Sequence, residues 1–552
     1  MSDMLNPVQM LLHRAESTPS TPFLHQPGQG TWRSYTWSEV ADQSRSMAAA
    51  LQALGVPAGS AVAITGMNTA HWFMADFAAG LGGYVGVGLY PKQSDDAVRF
   101  IMQHCGAKVA FIGPMPDIEA FLAALPKDVI RIALPYPGVP ACDHSWDELV
   151  KRHAPLPQAV ARDLERDPWS LIYTSGTTGN PKGVIITGRN LMFSVQGLLR
   201  MMPARPEGEH FLSYLPLAHA FERGAVECAS VYLGAQVWFL EALDKLGETL
   251  KQVRPTRFYG VPLVWTRIQG EILKQLPQAK MDRVLRIPLL SGYVKRKIRR
   301  GLGFDRCWLR VSGAAPLPLP VLNWYTRLGM DIYQGYGMTE NSIYVSCNLP
   351  GSNRNGSVGK PFFDSLIRIG DGGEIQNKHA GVTIGYYNDP QKTAELYTAD
   401  GWLHTGDVGR LDDDGYLYIT GRVKEIFKTL KGKYVTPAPI EGAFSENKDV
   451  DQMCLVGSGL FQPVLVVSLT PEAYKKDRAA VEAGLLQTLE TVNATLEAHE
   501  AIAKIFVTRE SWSIDNNMMT PTMKVRRNEV EKRFGERIQA QESKRGEKVA
   551  WE

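Results

Sequence analysis

The sequence predicts an α/β protein of at least two domains, and three observations predict it. At 552 residues the chain is too long for one compact core. Helical and strand-like patterns alternate through its first part, the signature of a largely parallel sheet with helices packed against it. Beyond Lys424 the chain turns charge-dense, which places a boundary there between residues 1–423 and a smaller part, 424–552.

Composition narrows the function classes. The apolar fraction of 44% and charged fraction of 21% are ordinary for a soluble globular protein. A formal net charge of +3 lacks the basic excess of a dedicated nucleic-acid binder, so no nucleic-acid partner is expected. The six cysteines are scattered with no Cys-x-x-Cys pair. That suits a reduced, cytoplasmic protein with neither a disulfide framework nor a zinc site. Met1–Leu5 shows no basic region followed by an apolar run, so no secretory signal is read. The most apolar stretch, Trp72 to Tyr90, holds Asp76 and five glycines and reads as a buried helix and turn, not a membrane span.

In chain order, a helix opens at Trp37-Ser38-Glu39-Val40 with Ser38 as its N-cap, runs through Leu51 and closes at Gly55. Val62–Ile64 and Val109–Ile112 read as short buried strands. A helix at Asp95–His104 stands between the latter and the run Gly86–Tyr90. Residues 113–165 are proline-rich and weakly periodic and predict little. Then comes the stretch on which the rest is organised, Tyr173 to Gly183. It holds Thr174, Ser175, Gly176, Thr177, Thr178 and Gly179, with Lys182 near its end. Glycines let backbone N–H groups crowd a phosphate, hydroxyls add rotatable donors, and Lys182 adds a point charge. The stretch reads as a triphosphate cradle. A Walker A loop would open a helix; here Trp169–Tyr173 and Val184–Thr187 read as strands, so the loop joins two strands. A plain polar turn is the alternative, set aside because the later motifs agree.

The stretch resembles the phosphate loop of the adenylate-forming (AMP-binding) superfamily of acyl-CoA synthetases, luciferases and adenylation domains. The resemblance covers roughly residues 8–535. It implies a large, multi-subdomain N-terminal adenylation domain with doubly wound sheets, residues 1–423, holding the ATP, Mg²⁺ and acyl sites. It also implies a small, mobile C-terminal α+β domain, residues 424–552.

After a helix near Asn190–Leu199, the segment Phe211–Arg223 ends a strand and starts a helix. His219 and Glu222 fall one helical turn apart directly after a strand end, where α/β sites form. The segment resembles Pro-Leu-x-His-x-x-Glu-Arg of long-chain acyl-CoA synthetases. This implies that His219 borders the acyl pocket and serves catalysis, and that Glu222 lies near the metal and phosphates. Arg257–Pro262 reads as a strand and resembles the segment that walls the acyl pocket, at Tyr259, Gly260 and Val261. The basic run Lys295–Arg300 is read as a solvated helix face, with peripheral contact to an anionic membrane as the alternative.

Leu309–Pro316 reads as a strand ending in small residues. Gly313, Ala314 and Ala315 permit the close backbone approach that a flat adenine needs. Ile332–Glu340 ends another strand. Tyr336 is suited to stack on adenine, Thr339 to bond the α-phosphate, and Glu340 to hold Mg²⁺ as a hard oxygen ligand beside Thr174. The resemblance adds Gln334, Gly335, Gly337 and Met338 to the nucleotide site, and Gly313 and Gly335 to the acyl wall. Asp407, a carboxylate suited to two ribose hydroxyls, matches the family's ribose aspartate, and Arg422 its arginine near the ribose. Lys424 matches the hinge. Lys428 follows, then the loop Lys431-Gly432-Lys433-Tyr434, which in the family swings over the site when the acceptor thiol attacks. Lys524, within Met519–Arg527, matches the lysine that reaches into the site during adenylation. The tail from Gln541 to Glu552 is read as polar and poorly ordered.

Three departures stand out. Gly188 replaces a frequent histidine, Lys378-His379-Ala380 replaces Arg-Gly-Pro, and Val85–Gly88 stands where prolines are common. None touches the phosphate, metal or catalytic-lysine positions. The resemblance implies ATP-dependent activation of a medium- or long-chain fatty acid to an acyl-adenylate, then transfer to CoA with release of AMP and pyrophosphate. The alternative is a ligase with another acceptor, an amine or a separate acyl carrier protein, or one acting on a β-hydroxy or aryl acid. A catalytically silent binding regulator is a third reading, opposed by intact Lys182, Glu340, Asp407 and Lys524. A homodimer is left open.

Overall fold

The computed structural model describes residues 4–28, 30–174, 180–520, 524–542 and 546–552. Its contacts gather into two compact units. The first comprises Met1–Leu317, Asn323–Ile367 and Asn377–Leu403; the second comprises Pro318–Leu322, Arg368–Gln376 and His404–Glu552. This division falls ahead of the expected hinge, so Asp407 and Arg422 belong to the second unit.

A seven-stranded sheet dominates the first unit. Ala61–Thr65 pairs in parallel with Val85–Leu89 on one side and Val109–Ile112 on the other, so the chain winds outward in both directions. Alternate residues serve opposite faces. Val62, Ile64 and Phe111 join one buried cluster, and Ala63, Val87 and Ile112 another. Burial on both faces explains why these strands read as unbroken apolar runs. The sheet ends with Pro168–Thr174 and Lys182–Thr187, paired antiparallel. The apolar stretch after Thr69 is the helix Ala70–Leu81, buried along its whole length, followed by a turn and the strand Val85–Leu89. Asp95–Cys105 is helical as expected, with two acidic residues in its first turn and Gly106 left-handed at its end.

A second sheet of this unit sets Arg257–Gly260, Leu309–Ser312 and Tyr333–Tyr336 side by side in parallel. Gly260 and Ser312 end their strands in one register line with Gln334, and the third strand runs two residues further, to Tyr336. Ligands in open α/β sheets bind outside the carboxyl ends of such strands.

In the second unit, Val450–Val456, Val464–Leu469, Lys504–Val507 and Val549–Trp551 form a four-stranded mixed sheet. Ile440, Phe444, Leu485 and Leu489 from two helices pack on one face; Val530, Phe534 and Ile538 of Arg527–Glu542 pack on the other. This is the α+β arrangement expected.

Two readings are corrected. Ser38 is not the N-cap of the helix Trp37–Ala53. Thr36 is, and it forms a capping box with Glu39. Of the tail read as poorly ordered, residues 543–545 lie outside the described residues, and Val549–Trp551 is a strand. Val549 and Ala550 are buried, and Ile505, Phe506 and Val507 pair with Val549, Ala550 and Trp551. These three residues are ordered by adding an edge strand to an apolar sheet.

None of the six cysteines is in a disulfide. All but Cys142 are buried. Burial pushes the thiol pKa of Cys105 up to about 11, and those of Cys307 and Cys347 up to about 12.

Candidate active site

The first unit carries the phosphate-loop ends. Ser175, Gly176, Thr177, Thr178 and Gly179 lie outside the described residues. Thr174 and Lys182 face each other as the last registered pair of the antiparallel strands, so the loop leaves and re-enters the sheet at one point. Lys182 Nζ stands 4.7 Å above the ring of Tyr386. The Tyr386 hydroxyl donates to Glu340 Oε1 at 2.8 Å. One phenol therefore links the loop lysine to the carboxylate read as the metal ligand. Both Tyr386 and Glu340 are buried. Burial, then the Glu340 charge, raises the Tyr386 pKa, so the hydroxyl stays a donor. Tyr386 was not among the residues read from sequence; it lies 46 positions beyond its partner, in no motif.

Glu340 sits in the short turn Thr339–Asn341 after the strand Tyr333–Tyr336. The Asn341 side chain closes that turn by accepting from Met338 N–H at 2.8 Å. Gly337 is required here on steric grounds. A Cβ would lie 2.4 Å from the carbonyl carbon of Ile343. Gln334 spends its side chain as a bracket, accepting from Leu317 N–H at 2.8 Å and donating to Ser357 O at 3.2 Å. It thereby fixes the segment that follows Ala315. Ala314 has φ +68°, a left-handed conformation that costs a non-glycine residue energy and clusters at functional sites. The Gly313 N–H donates to Gly260 O at 3.3 Å, joining the two strand ends expected to meet adenine and acyl chain. Gly335 lies on the next strand, where an added Cβ would stand 3.3 Å from Cys347 Sγ.

The candidate acyl wall is aromatic. Tyr259 is buried, with Phe221 edge-on at 5.8 Å, and the Tyr214 hydroxyl donates to Tyr259 O at 2.8 Å. Val261 precedes the helix Pro262–Gln275, and the indole of Trp265 lies where a Gly260 side chain would be. Phe221 also escaped sequence reading. It borders Gly313, whose added Cβ would touch its ring at 3.4 Å. His219 stands at the N-cap of a short helix, and its Nδ1 accepts from Phe221 N–H at 3.2 Å. That bond puts the ring proton on Nε2 whenever the imidazole is neutral.

Glu222, read as lying near metal and phosphates, has its carboxyl group engaged by the protein itself. Its Oε1 accepts from Ser213 Oγ at 2.7 Å, Tyr214 N–H at 3.1 Å and Asn68 Nδ2 at 3.4 Å. Its carboxylate therefore secures the end of the strand His210–Ser213. Burial pushes its pKa up to about 8, against the pull of Ser213 and Tyr214. Arg223 likewise points inward. It pairs with Asp76, lies 3.7 Å from Glu227, and donates to Ser170.

Magnesium keeps several waters and binds through one or two carboxylates plus substrate phosphates. Among the described residues no group of three His, Cys, Asp or Glu side chains is arranged to hold a metal ion. A single hard oxygen ligand, Glu340, beside the mouth of a phosphate loop fits a cation held chiefly through phosphate. Thr174 at that mouth is half-buried.

The second unit holds the remaining residues. Asp407 and Arg422 oppose each other across an antiparallel pair, Arg422 Nε 3.0 Å from Asp407 Oδ1. Lys424 lies in the turn Val423–Glu425 and is exposed. Lys428 Nζ stands 5.5 Å over the Tyr434 ring. Lys431, Gly432 and Lys433 form the tip of this two-stranded hairpin, closed by Thr429 N–H donating to Lys433 O at 2.9 Å. Lys431 and Lys433 are exposed. Lys524 and Thr520 bond to each other twice. Thr520 N–H donates to Lys524 O at 2.8 Å, and Lys524 N–H donates to Thr520 Oγ1 at 3.0 Å. Arg527 anchors the segment, donating to Glu441 Oε1 at 2.8 Å and lying 3.9 Å from Glu425.

Comparison with known proteins identifies the family. Residues 11–387 match the family described as AMP-binding enzyme, and residues 425–545 the AMP-binding enzyme C-terminal domain. The long-chain-fatty-acid–CoA ligase FadD15 of Mycobacterium tuberculosis is 31% identical over 93% of this chain and 92% of its own. Peroxisomal long chain acyl-CoA synthetase 6 of Arabidopsis thaliana is 30% identical, covering 92% and 81% respectively. Among solved structures, the adenylation domain of a carboxylate reductase from Mycobacterium chelonae superposes with a TM-score of 0.83 at 21% identity, covering 98% of this chain and 92% of that one. The anthranilate CoA ligase AuaEII with anthranoyl-AMP gives 0.79 at 22%, covering 96% and 98%. The structural likenesses speak for the fold, and the family matches across both parts of the sequence establish the rest: this chain belongs to the AMP-binding enzyme family.

Proposed function

We propose that this protein is an AMP-forming acid–thiol ligase that activates a long-chain fatty acid and transfers it to CoA. The observation that supports this most is the link Lys182–Tyr386–Glu340 at the mouth of the phosphate loop. A carboxylate is a poor acylating agent because its leaving group would be an oxide. Attack of the carboxylate on the α-phosphate of ATP, with loss of pyrophosphate, gives an acyl-adenylate whose leaving group is AMP. Two anions must approach, so the site has to offset charge. Lys182 supplies a fixed positive charge beside the triphosphate, and the strand-end backbone around Gly313–Ala315 and Gly335–Thr339 receives the nucleotide. When bound, magnesium would screen the phosphates from the side of Glu340 and Thr174.

Asp407 and Arg422 are assigned to the ribose, and Lys524 to holding the carboxylate and α-phosphate in line. His219, Tyr259, Gly260 and Val261 are assigned to the acid. For the second half-reaction, Lys424 is the hinge about which Lys524 withdraws. Lys428 and the Lys431–Lys433 hairpin then assist the incoming thiol, which attacks the adenylate carbonyl and expels AMP. The aromatic wall of Tyr259 and Phe221 favours an apolar acid over an amino acid.

Pyrophosphate release across a panel of acids, from acetate through long-chain and β-hydroxy fatty acids to aryl and amino acids, tests this, each with and without CoA. Acyl-CoA formed only with CoA, and best on a long-chain acid, is the expected result. Adenylate accumulating with no thioester would point to another acceptor.

A further inference from the structure

The first unit bears a surface that the ligase chemistry does not use. Leu289 is 93% exposed, the most of any large apolar side chain among the described residues, and Ile287, Leu290 and Tyr293 beside it are exposed as well. A lone exposed leucine needs no explanation; four such side chains within seven residues do. Between Asp282 and Asp305 the chain carries seven lysines and arginines and no acid. That local excess is more than twice the formal charge of the whole chain, +3. The flanking acids are engaged, Asp282 by Arg327 and Asp305 by Arg254.

The helix Pro288–Gly301 organises these residues. Leu289, Tyr293, Arg296 and Arg300 recur at i, i+4, i+7 and i+11, which places them in one stripe. All four are exposed, while Ser291, Val294 and Ile298 on the opposite side are buried or half-buried. The stripe is therefore graded, apolar at its N-terminal end and cationic at its C-terminal end. A nucleic acid would engage the cations alone and leave Leu289 and Ile287 in water. A bilayer surface engages both: apolar side chains enter the acyl boundary and guanidinium groups stay among phosphates.

We propose that this helix docks the protein obliquely on an anionic lipid bilayer, with Leu289 and Tyr293 inserted and Arg296 and Arg300 on the headgroup phosphates. No described helix is long and apolar enough to cross a membrane, so the contact is peripheral. It goes beyond the ligase reading by locating the surface from which a membrane-dissolved acid would be taken up.

Flotation of the full chain with vesicles of phosphatidylcholine, with and without phosphatidylglycerol, tests the proposal. The protein should float with the anionic vesicles, should bind neutral ones about tenfold or more weakly, and should be released by high salt. The pairs Leu289→Asp/Tyr293→Asp and Arg296→Glu/Arg300→Glu should each reduce binding about tenfold or more. Melting temperature and turnover of a short, water-soluble acid should stay unchanged in both. Wild-type protein that ignores anionic vesicles, pairs of substitutions that leave binding intact, or binding to RNA in place of vesicles would each overturn it. Flotation is read without turnover, so its failure leaves the ligase reading standing, and the converse holds.

Discussion

Tyr386 receives charge on both of its faces of chemistry, the π-cloud from Lys182 and the hydroxyl toward Glu340. Removing the hydroxyl leaves a buried carboxylate short of one donor. A hydrogen bond to a charged group contributes about 1.5–3 kcal/mol. Tyr386→Phe is therefore expected to slow pyrophosphate release by about ten- to a hundredfold. Glu340→Gln, which removes the charge itself, is expected to cost about 10²–10³. Both are checked by continuous pyrophosphate assay at saturating ATP. If Tyr386→Phe matched wild type, the link would be packing only. At this scale the sequence offered as candidates the residues that lie in compact motifs, such as Lys182 and Glu340. It did not reveal Tyr386 or Phe221, whose partners are set by the fold, nor the strand-end bonds of Glu222, because a motif says which residues stand together and not which way a carboxyl group turns.

The strand end at His210–Ser213 shows what a single buried acid does to an element. Glu222 has a folded pKa of about 8 against an ordinary 4.5. Between these values the folded chain holds a proton that the unfolded chain has released, so stability falls as pH rises through that window. Glu222→Gln keeps the acceptor for Ser213 and Tyr214 and removes the titration. Its melting temperature should therefore decline less than that of wild type from pH 5 to 8, which calorimetry at matched ionic strength would read. A parallel decline in both proteins would assign the charge elsewhere. Strand and helix positions were readable from sequence wherever apolar runs are fully buried, as at Ala61–Thr65 and Val109–Ile112. They were not readable where a short element borrows its stability. His144–Ser145 and Val549–Trp551 are strands only because a neighbouring strand offers its edge.

At the scale of the whole molecule, the two half-reactions make different demands. Lys524→Ala should lower adenylate formation by about a hundredfold or more and spare conversion of a supplied acyl-adenylate to thioester. Lys424→Pro should do the reverse, sparing adenylation and blocking thioester formation. Single-turnover assays of each half separate the two; equal losses in both halves for Lys524→Ala would refute the division of labour. The two-part construction was evident in sequence from length and from the rise in charge density, while the assignment of the Asp407–Arg422 pair to the second unit was not. Strand pairing across a gap of loop residues leaves no mark in composition.

The six cysteines carry a final consequence. A mixed anhydride of a fatty acid and AMP acylates any thiolate within reach, so the enzyme manufactures a reagent for its own modification. Five of its thiols are out of solvent, and burial keeps them un-ionised at neutral pH. Incubation with ATP and a fatty acid in the absence of CoA should therefore leave those five cysteines unacylated in intact-mass and peptide mass spectra, and adenylate should be lost to water. Those five thiols are in this sense inert toward the protein's own intermediate, and on the ligase reading the sulfur nucleophile that receives the acyl group is brought from outside.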